Sequence, residues 1–151
     1  MRAAIHSFLR FFVGIVFLAS ALGKSLDLAG FVEVLKTYRA VPDVMLWPLA
    51  LAVTGVELVL GMWVLSGWQL RAGALASAWV NAGYAAWMTI SLLRGLELAN
   101  CGCFGVFFSQ PLRWYSPLED LVLVGMCYRL FRYATERAGH ASSPSDSSSS
   151  A

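Results

Sequence analysis

Four stretches of this chain are long and apolar enough to cross a lipid bilayer, and they set the frame for everything else. A spanning helix needs about 20 largely apolar residues. The segments run from about Ile5 to Gly23, Val44 to Leu65, Gln69 to Leu93 and Ser116 to Tyr133. The fourth is the least apolar, because Glu119 and Asp120 stand in its first turn. Hydrophobic residues make up 58% of the 151 residues and charged residues 13%, which fits one domain but is far too apolar for an ordinary soluble one. Gly14, Gly55, Gly61, Gly73, Gly83 and Gly125 fall inside the spans. Small residues let membrane helices approach closely, so they do not argue against helix here.

Between the first two spans, Leu28, Phe31, Leu35 and Tyr38 recur at helical spacing, with Asp27 placed to cap the start and Pro42 to end the run. This reads as a short amphipathic helix lying in the interface. From about Ala138 the chain is serine-rich and cannot bury a core, so it is expected to be disordered. No internal repeat is found. The expected fold is an all-α membrane protein. A four-helix transmembrane bundle occupies residues 1–137, with the short interfacial helix between spans one and two and a tail over 138–151.

The link between spans three and four carries Asn100-Cys101-Gly102-Cys103-Phe104-Gly105. Disulfides prefer Cα atoms roughly 4.4–6.8 Å apart. Cysteines separated by one residue reach that only with local strain, and a strained bond is more easily reduced. Gly102 lacks the Cβ that would crowd the turn further. Cys101 and Cys103 therefore read as an exchanging thiol pair, against the alternative of a static turn staple or half a metal site. Structural zinc wants four ligands. The chain offers only Cys127, His6 and His140 besides, all far away in sequence, so no metal is expected. Cys127 falls near the middle of the last span and reads as a packing thiol. Lys24, Arg94 or Arg113, if near the pair, would favour its thiolate.

With four spans both termini share a side. That side holds Arg2, Arg10, Arg71, Arg129, Arg132 and Arg137; the other holds Lys24, Lys36, Arg39, Arg94 and Arg113. The positive-inside rule places the termini in the cytoplasm by a margin of one. Asp27, Glu33, Asp43, Glu97, Glu119 and Asp120 all fall on the opposite side. The cysteine loop is then external, where a disulfide can be made and used. A competing reading takes the first span as a secretory signal ending at Ala19-Ser20-Ala21. The apolar run continues past that site, which favours a retained span. Trp47, Trp63, Trp68, Trp87 and Trp114 cluster near span ends as an aromatic belt, with quinone stacking the lesser alternative.

Glu57 lies inside the second span, and an ionisable residue there is a functional-site candidate by default. At about 1.5 Å rise per residue, Arg10 in span one and Arg129 in span four fall near its level. The three read either as a structural ion pair within the bundle or as proton carriers for quinone reduction.

Arg10, Gly14 and Gly23-Lys24-Ser25-Leu26-Asp27, leading to Phe31, Tyr38 and Pro42, resemble the start of the DoxX-like and MauE membrane families. Glu57 with Gly61 is similar to their second-helix pattern. Arg94-Gly95 followed by Cys101-Gly102-Cys103-Phe104-Gly105 resembles the MauE signature. The resemblance covers about Arg10 to Leu130 and departs ahead of Asp120, where Glu119 stands in place of a basic residue. It implies a bacterial inner-membrane protein that supports maturation of a disulfide-rich periplasmic methylamine dehydrogenase. It also implies thiol–disulfide oxidoreductase chemistry at Cys101 and Cys103, with Gly102, Phe104, Gly105, Lys24 and Arg94 in support. A thioredoxin-like or disulfide-containing partner outside the membrane follows from it. A quinone is the one candidate cofactor, and no nucleic-acid partner is expected. The competing class is a membrane anchor or assembly subunit of a quinone-linked DoxX-type complex, its short disulfide shaping a docking loop. A small transporter is less favoured, because the spans carry few polar residues.

Overall fold

A computed structural model describes residues 2–96, 98–106 and 111–141. Glu97, residues 107–110 and the serine-rich 142–151 lie outside the described residues, and so does the side chain of His140. Among the described residues five helices follow in order: α1 (Arg2–Leu26), α2 (Leu28–Thr37), α3 (Asp43–Ser66), α4 (Leu70–Leu93) and α5 (Ser116–Ala141). The four expected spans correspond to α1, α3, α4 and α5. Among the described residues no strand occurs.

Two of the helices are long and apolar enough to cross a membrane: Ala4–Leu26 within α1 and Asp43–Ser66, each with mean hydropathy 1.9. Helix α5 holds Glu119, Asp120, Arg129, Arg132, Glu136 and Arg137, and its composition dilutes the apolar signal accordingly. It also runs on to Ala141, through the first residues expected to belong to the tail.

Helix α1 packs antiparallel to α3, and α4 packs along α5; contacts of α1 with α5 and of α3 with α4 join the two pairs. Where α1 crosses α3 the backbones nearly touch. A Cβ on Gly61 would sit 3.1 Å from the Gly14 carbonyl oxygen and 2.8 Å from Leu18. All four long helices meet in one apolar cluster of Val13, Phe17, Leu60, Val64, Ala74, Cys127 and Leu130. Cys127 is fully buried there as a packing thiol.

Helix α2 begins as expected: the Asp27 carboxylate accepts the Gly30 N–H at 2.8 Å. It ends at Thr37 rather than at Pro42, which instead stands at the N-cap of α3. Its apolar stripe is turned inward. Phe31 and Val32 are buried with Leu46 and Ala50 of α3, and Tyr38 is buried beneath the cysteine loop. A stripe at this spacing suits a lipid interface or a protein neighbour equally well, and here α3 and the loop cover it.

Candidate functional site

The cysteine loop is seated on the far ends of α1 and α2. Its two ends are tied together by the Leu112 N–H donating to the Leu98 carbonyl at 2.9 Å. Leu98, Cys101 and Leu112 bury against Tyr38 and Met88 of the helices below. Within the turn Asn100 does the local work. Its Oδ1 accepts the Gly102 N–H at 2.9 Å and its Nδ2 donates to the Gly105 carbonyl at 3.2 Å. Gly102 and Gly105 both adopt left-handed backbone, at φ +76° and +74°. Gly105 also lies directly on Gly23 of α1. A Cβ on Gly105 would come within 2.4 Å of the Gly23 carbonyl oxygen, and one on Gly23 within 2.3 Å of the Phe104 carbonyl oxygen. Backbone meets backbone there, so only glycine fits on either side.

This seating brings the thiols together. The Sγ atoms of Cys101 and Cys103 lie 2.8 Å apart, with Cys101 buried and Cys103 partly exposed. A thiol proton shared between two sulfurs splits their behaviour. The hydrogen bond from Cys103 lowers Cys101 to about 7, against the opposing effect of burial. The same bond, with burial added, pushes Cys103 far upward. Cys101 is therefore the sulfur of the pair that ionises first, stabilised by the partner thiol as its donor.

Beneath the loop sits a buried polar cluster. Lys24 and Glu57 are 3% and 1% exposed. The Lys24 ammonium has three N–H groups for four acceptors in reach: Glu57 Oε1 at 2.8 Å, Glu57 Oε2 at 2.7 Å, Ser20 Oγ at 2.6 Å and the Cys103 carbonyl at 2.8 Å. Ser20 sits within bonding distance of Glu57 and of the Cys103 carbonyl, either of which can take its one proton. The Tyr84 hydroxyl donates to Glu57 Oε1 at 2.9 Å. The carboxylate and ammonium are thus both paired and hydrogen-bonded, as buried charges must be. The Cys103 carbonyl makes the cysteine loop part of this cluster. A second tie comes from Tyr38, whose hydroxyl donates to the Cys101 carbonyl at 2.7 Å, and burial raises the pKa of that hydroxyl.

The expected partners of Glu57 were Arg10 and Arg129, and the structure corrects this: its partner is Lys24. Counting rise along a helix treats each side chain as lying level with its own Cα. Side chains lean toward the helix N-terminus, and the long Lys24 stem lies back along α1 past Ser20. Arg10 instead lies over the Phe11 ring, 5.1 Å from its centroid, and closes on Gly67. Arg129 faces a separate cavity beside Leu9, Val122 and Tyr128. Arg94 reaches the Tyr38 carbonyl at 3.2 Å and acts on the loop through that residue. Arg113 has an exposed side chain and contributes its backbone N–H to Ser116.

Four contributors lay outside the expected site: Ser20, Tyr38, Tyr84 and Asp120. Ser20 could have been found, since it precedes Lys24 by one helical turn. Asp120 is buried at the start of α5, and its charge reaches Cys103 and Tyr38. Nothing in the spacing of Tyr84 marks it.

The family model for methylamine utilisation protein MauE matches residues 2–132. This chain belongs to the MauE family. The methylamine utilization protein MauE of Paracoccus denitrificans is 31% identical over 118 residues, covering 78% of this chain and 63% of the relative. The protein of the same name from Paracoccus versutus is 27% identical over 122 residues, covering 81% and 66%. The chain thus spans somewhat under two thirds of the length of these MauE relatives. No solved structure matches it.

Proposed function

We propose that this MauE-family chain is an integral membrane thiol–disulfide exchange protein that supports disulfide formation in exported proteins, of the methylamine dehydrogenase maturation type. Its four long helices form the transmembrane bundle, with both termini cytoplasmic and the cysteine loop outside. The observation that carries the reading is the Cys101–Cys103 pair, with sulfurs 2.8 Å apart on a loop clamped to a buried ion pair. The membrane placement rests on the apolar character of α1 and α3 and on the outer faces of the others. Trp79 and Leu93 of α4 are 73% and 84% exposed, and a soluble surface rarely carries so many large apolar side chains.

The two thiols divide the work. In the oxidised form the two sulfurs share one bond. A thiolate of the partner protein attacks Cys103, the more accessible sulfur. The Cys101–Cys103 bond breaks and its electron pair leaves on Cys101, which takes up a proton or remains as thiolate. A second thiolate of the partner then attacks the partner's own bridging sulfur and releases Cys103, which takes up a proton. The partner gains one disulfide and loses two electrons, which now reside on the reduced pair. Two electrons and two protons pass on to a quinone or to a second disulfide protein to reset it.

Cys101→Ser cannot form the internal disulfide, but its Cys103 thiolate can attack the disulfide of an oxidised partner, expelling one partner sulfur as a thiolate, and no Cys101 thiol remains to resolve the adduct. Cys101→Ser should therefore accumulate a mixed disulfide between Cys103 and an external protein, seen on non-reducing gels after acid quenching and identified by mass spectrometry. Cys103→Ser should trap far less, because Cys101 is only 8% exposed. No adduct from either variant, with exported proteins normally oxidised, would make the loop a structural staple and favour the anchor reading.

A further inference from the structure

The end of the bundle that holds both termini carries a feature the thiol chemistry does not use. A cavity of about 640 Å³ opens between the start of α4 and the end of α5, with Arg10 of α1 at its edge. That volume lies within the range of small-molecule sites, roughly 300–1,000 Å³. Among the described residues Arg10, Arg71 and Arg137 line it, and no acid does. Among the described residues the ion pairs are Lys24–Glu57 and Arg132–Glu136, so none of these three arginines has a carboxylate partner.

The arginines are placed rather than scattered. Arg10 lies against Gly67, where a Cβ would sit 2.6 Å from its Nη1. Its Nε is buried without a hydrogen-bond partner. Arg137 is held over the Tyr133 ring, 5.6 Å from its centroid. Arg71 lies in the first turn of α4, where Gln69 provides no side-chain cap and the helix dipole adds positive potential. Leu70, Leu75 and Phe131 add apolar wall to the same cavity. Basic and apolar groups lining one cavity suit an amphiphile with a negative head. Basic pockets between membrane helices on the cytoplasmic side bind anionic lipid headgroups.

We propose that this cavity binds the phosphate of an anionic glycerophospholipid, with the arginines on the headgroup and the acyl chains along Leu75 and Phe131. The shared chemistry is a phosphate group, and a free phosphate ion is the other source of it. The apolar wall and the size of the cavity favour the lipid.

The full chain in detergent, titrated with phosphatidylglycerol or phosphatidylcholine and read by native mass spectrometry, tests the site. Phosphatidylglycerol should bind in preference. Arg71→Gln and Arg137→Gln should each weaken it roughly fivefold, the effect of one arginine near a lipid phosphate. Arg132→Gln, on the same end but outside the cavity, should leave binding unchanged. Equal binding of the two lipids would overturn the proposal, and so would a loss in Arg132→Gln as large as in Arg71→Gln. Inorganic phosphate that binds with no preference among lipids would assign the cavity to a free ion and overturn the lipid reading.

Discussion

At the cysteine end of the bundle, Lys24 and Glu57 are almost fully buried and every hydrogen-bonding atom on them faces a partner from α1, α3, α4 or the loop. At the opposite end, Arg10, Arg71 and Arg137 line a cavity with no acid among the described residues that line it. The first arrangement is complete within the chain. It fixes the position of the Cys103 carbonyl and hence of the thiol pair. The second is complete only with something added. The Lys24–Glu57 pair is buried and belongs to the fold itself, whereas Arg71 and Arg137 are exposed and Arg10 partly so.

The comparison breaks most visibly at Glu57. Removing one partner of a buried ion pair strands the other, at a cost of ~3–5 kcal/mol in soluble proteins. Glu57→Gln should therefore lower the melting temperature in detergent sharply, and Lys24→Met added to it should recover part of the loss. Arg10→Gln, by contrast, should leave the melting temperature close to wild type. Similar losses for Glu57→Gln and Arg10→Gln would erase the distinction between the two ends. Next in size is Gly105→Ala. It places a Cβ against the Gly23 carbonyl at a left-handed position, for ~2 kcal/mol. Limited proteolysis of the loop should accelerate in that variant.

Tyr38→Phe should cost about 1 kcal/mol, the usual worth of one hydrogen bond. It would free the Cys101 carbonyl without touching the ion pair, so the melting temperature should fall slightly while thiol reactivity rises. The smallest effect concerns titration. With Cys101 lowered to about 7, alkylation of the reduced pair should rise with pH through a midpoint near 7. Below that midpoint it should fall roughly tenfold per pH unit as the thiolate is protonated. Glu119 opposes the Cys101 thiolate, so Glu119→Gln should move the midpoint slightly lower. A midpoint near 8.5, the ordinary thiol value, would show that the two sulfurs do not share a proton.

The helices were legible because apolar run length is a strong signal, and α1, α3, α4 and α5 fall within a few residues of the expected spans. The cysteine turn was legible from Gly102 and its neighbours. What sequence did not reveal was which charge meets which. Glu57 stood out as an acid within a long apolar run, but its partner depended on the direction of the Lys24 side chain and on the antiparallel register of α1 against α3. Neither is encoded in spacing along one helix. The same holds for α2, whose apolar stripe was visible although the surface covering it was not. Tyr84 and Asp120 come to the site from α4 and α5, and only tertiary packing unites them with Lys24 and Cys103.

The reduction potential of the Cys101–Cys103 couple decides most directly whether the loop exchanges electrons or merely holds its shape. The purified chain, equilibrated with reduced and oxidised glutathione, would be quenched in acid and scored by the mass shift of maleimide labelling. An exchanging pair should titrate within the range of disulfide catalysts, between about −120 and −270 mV. A potential below about −300 mV, typical of structural disulfides, would contradict the account.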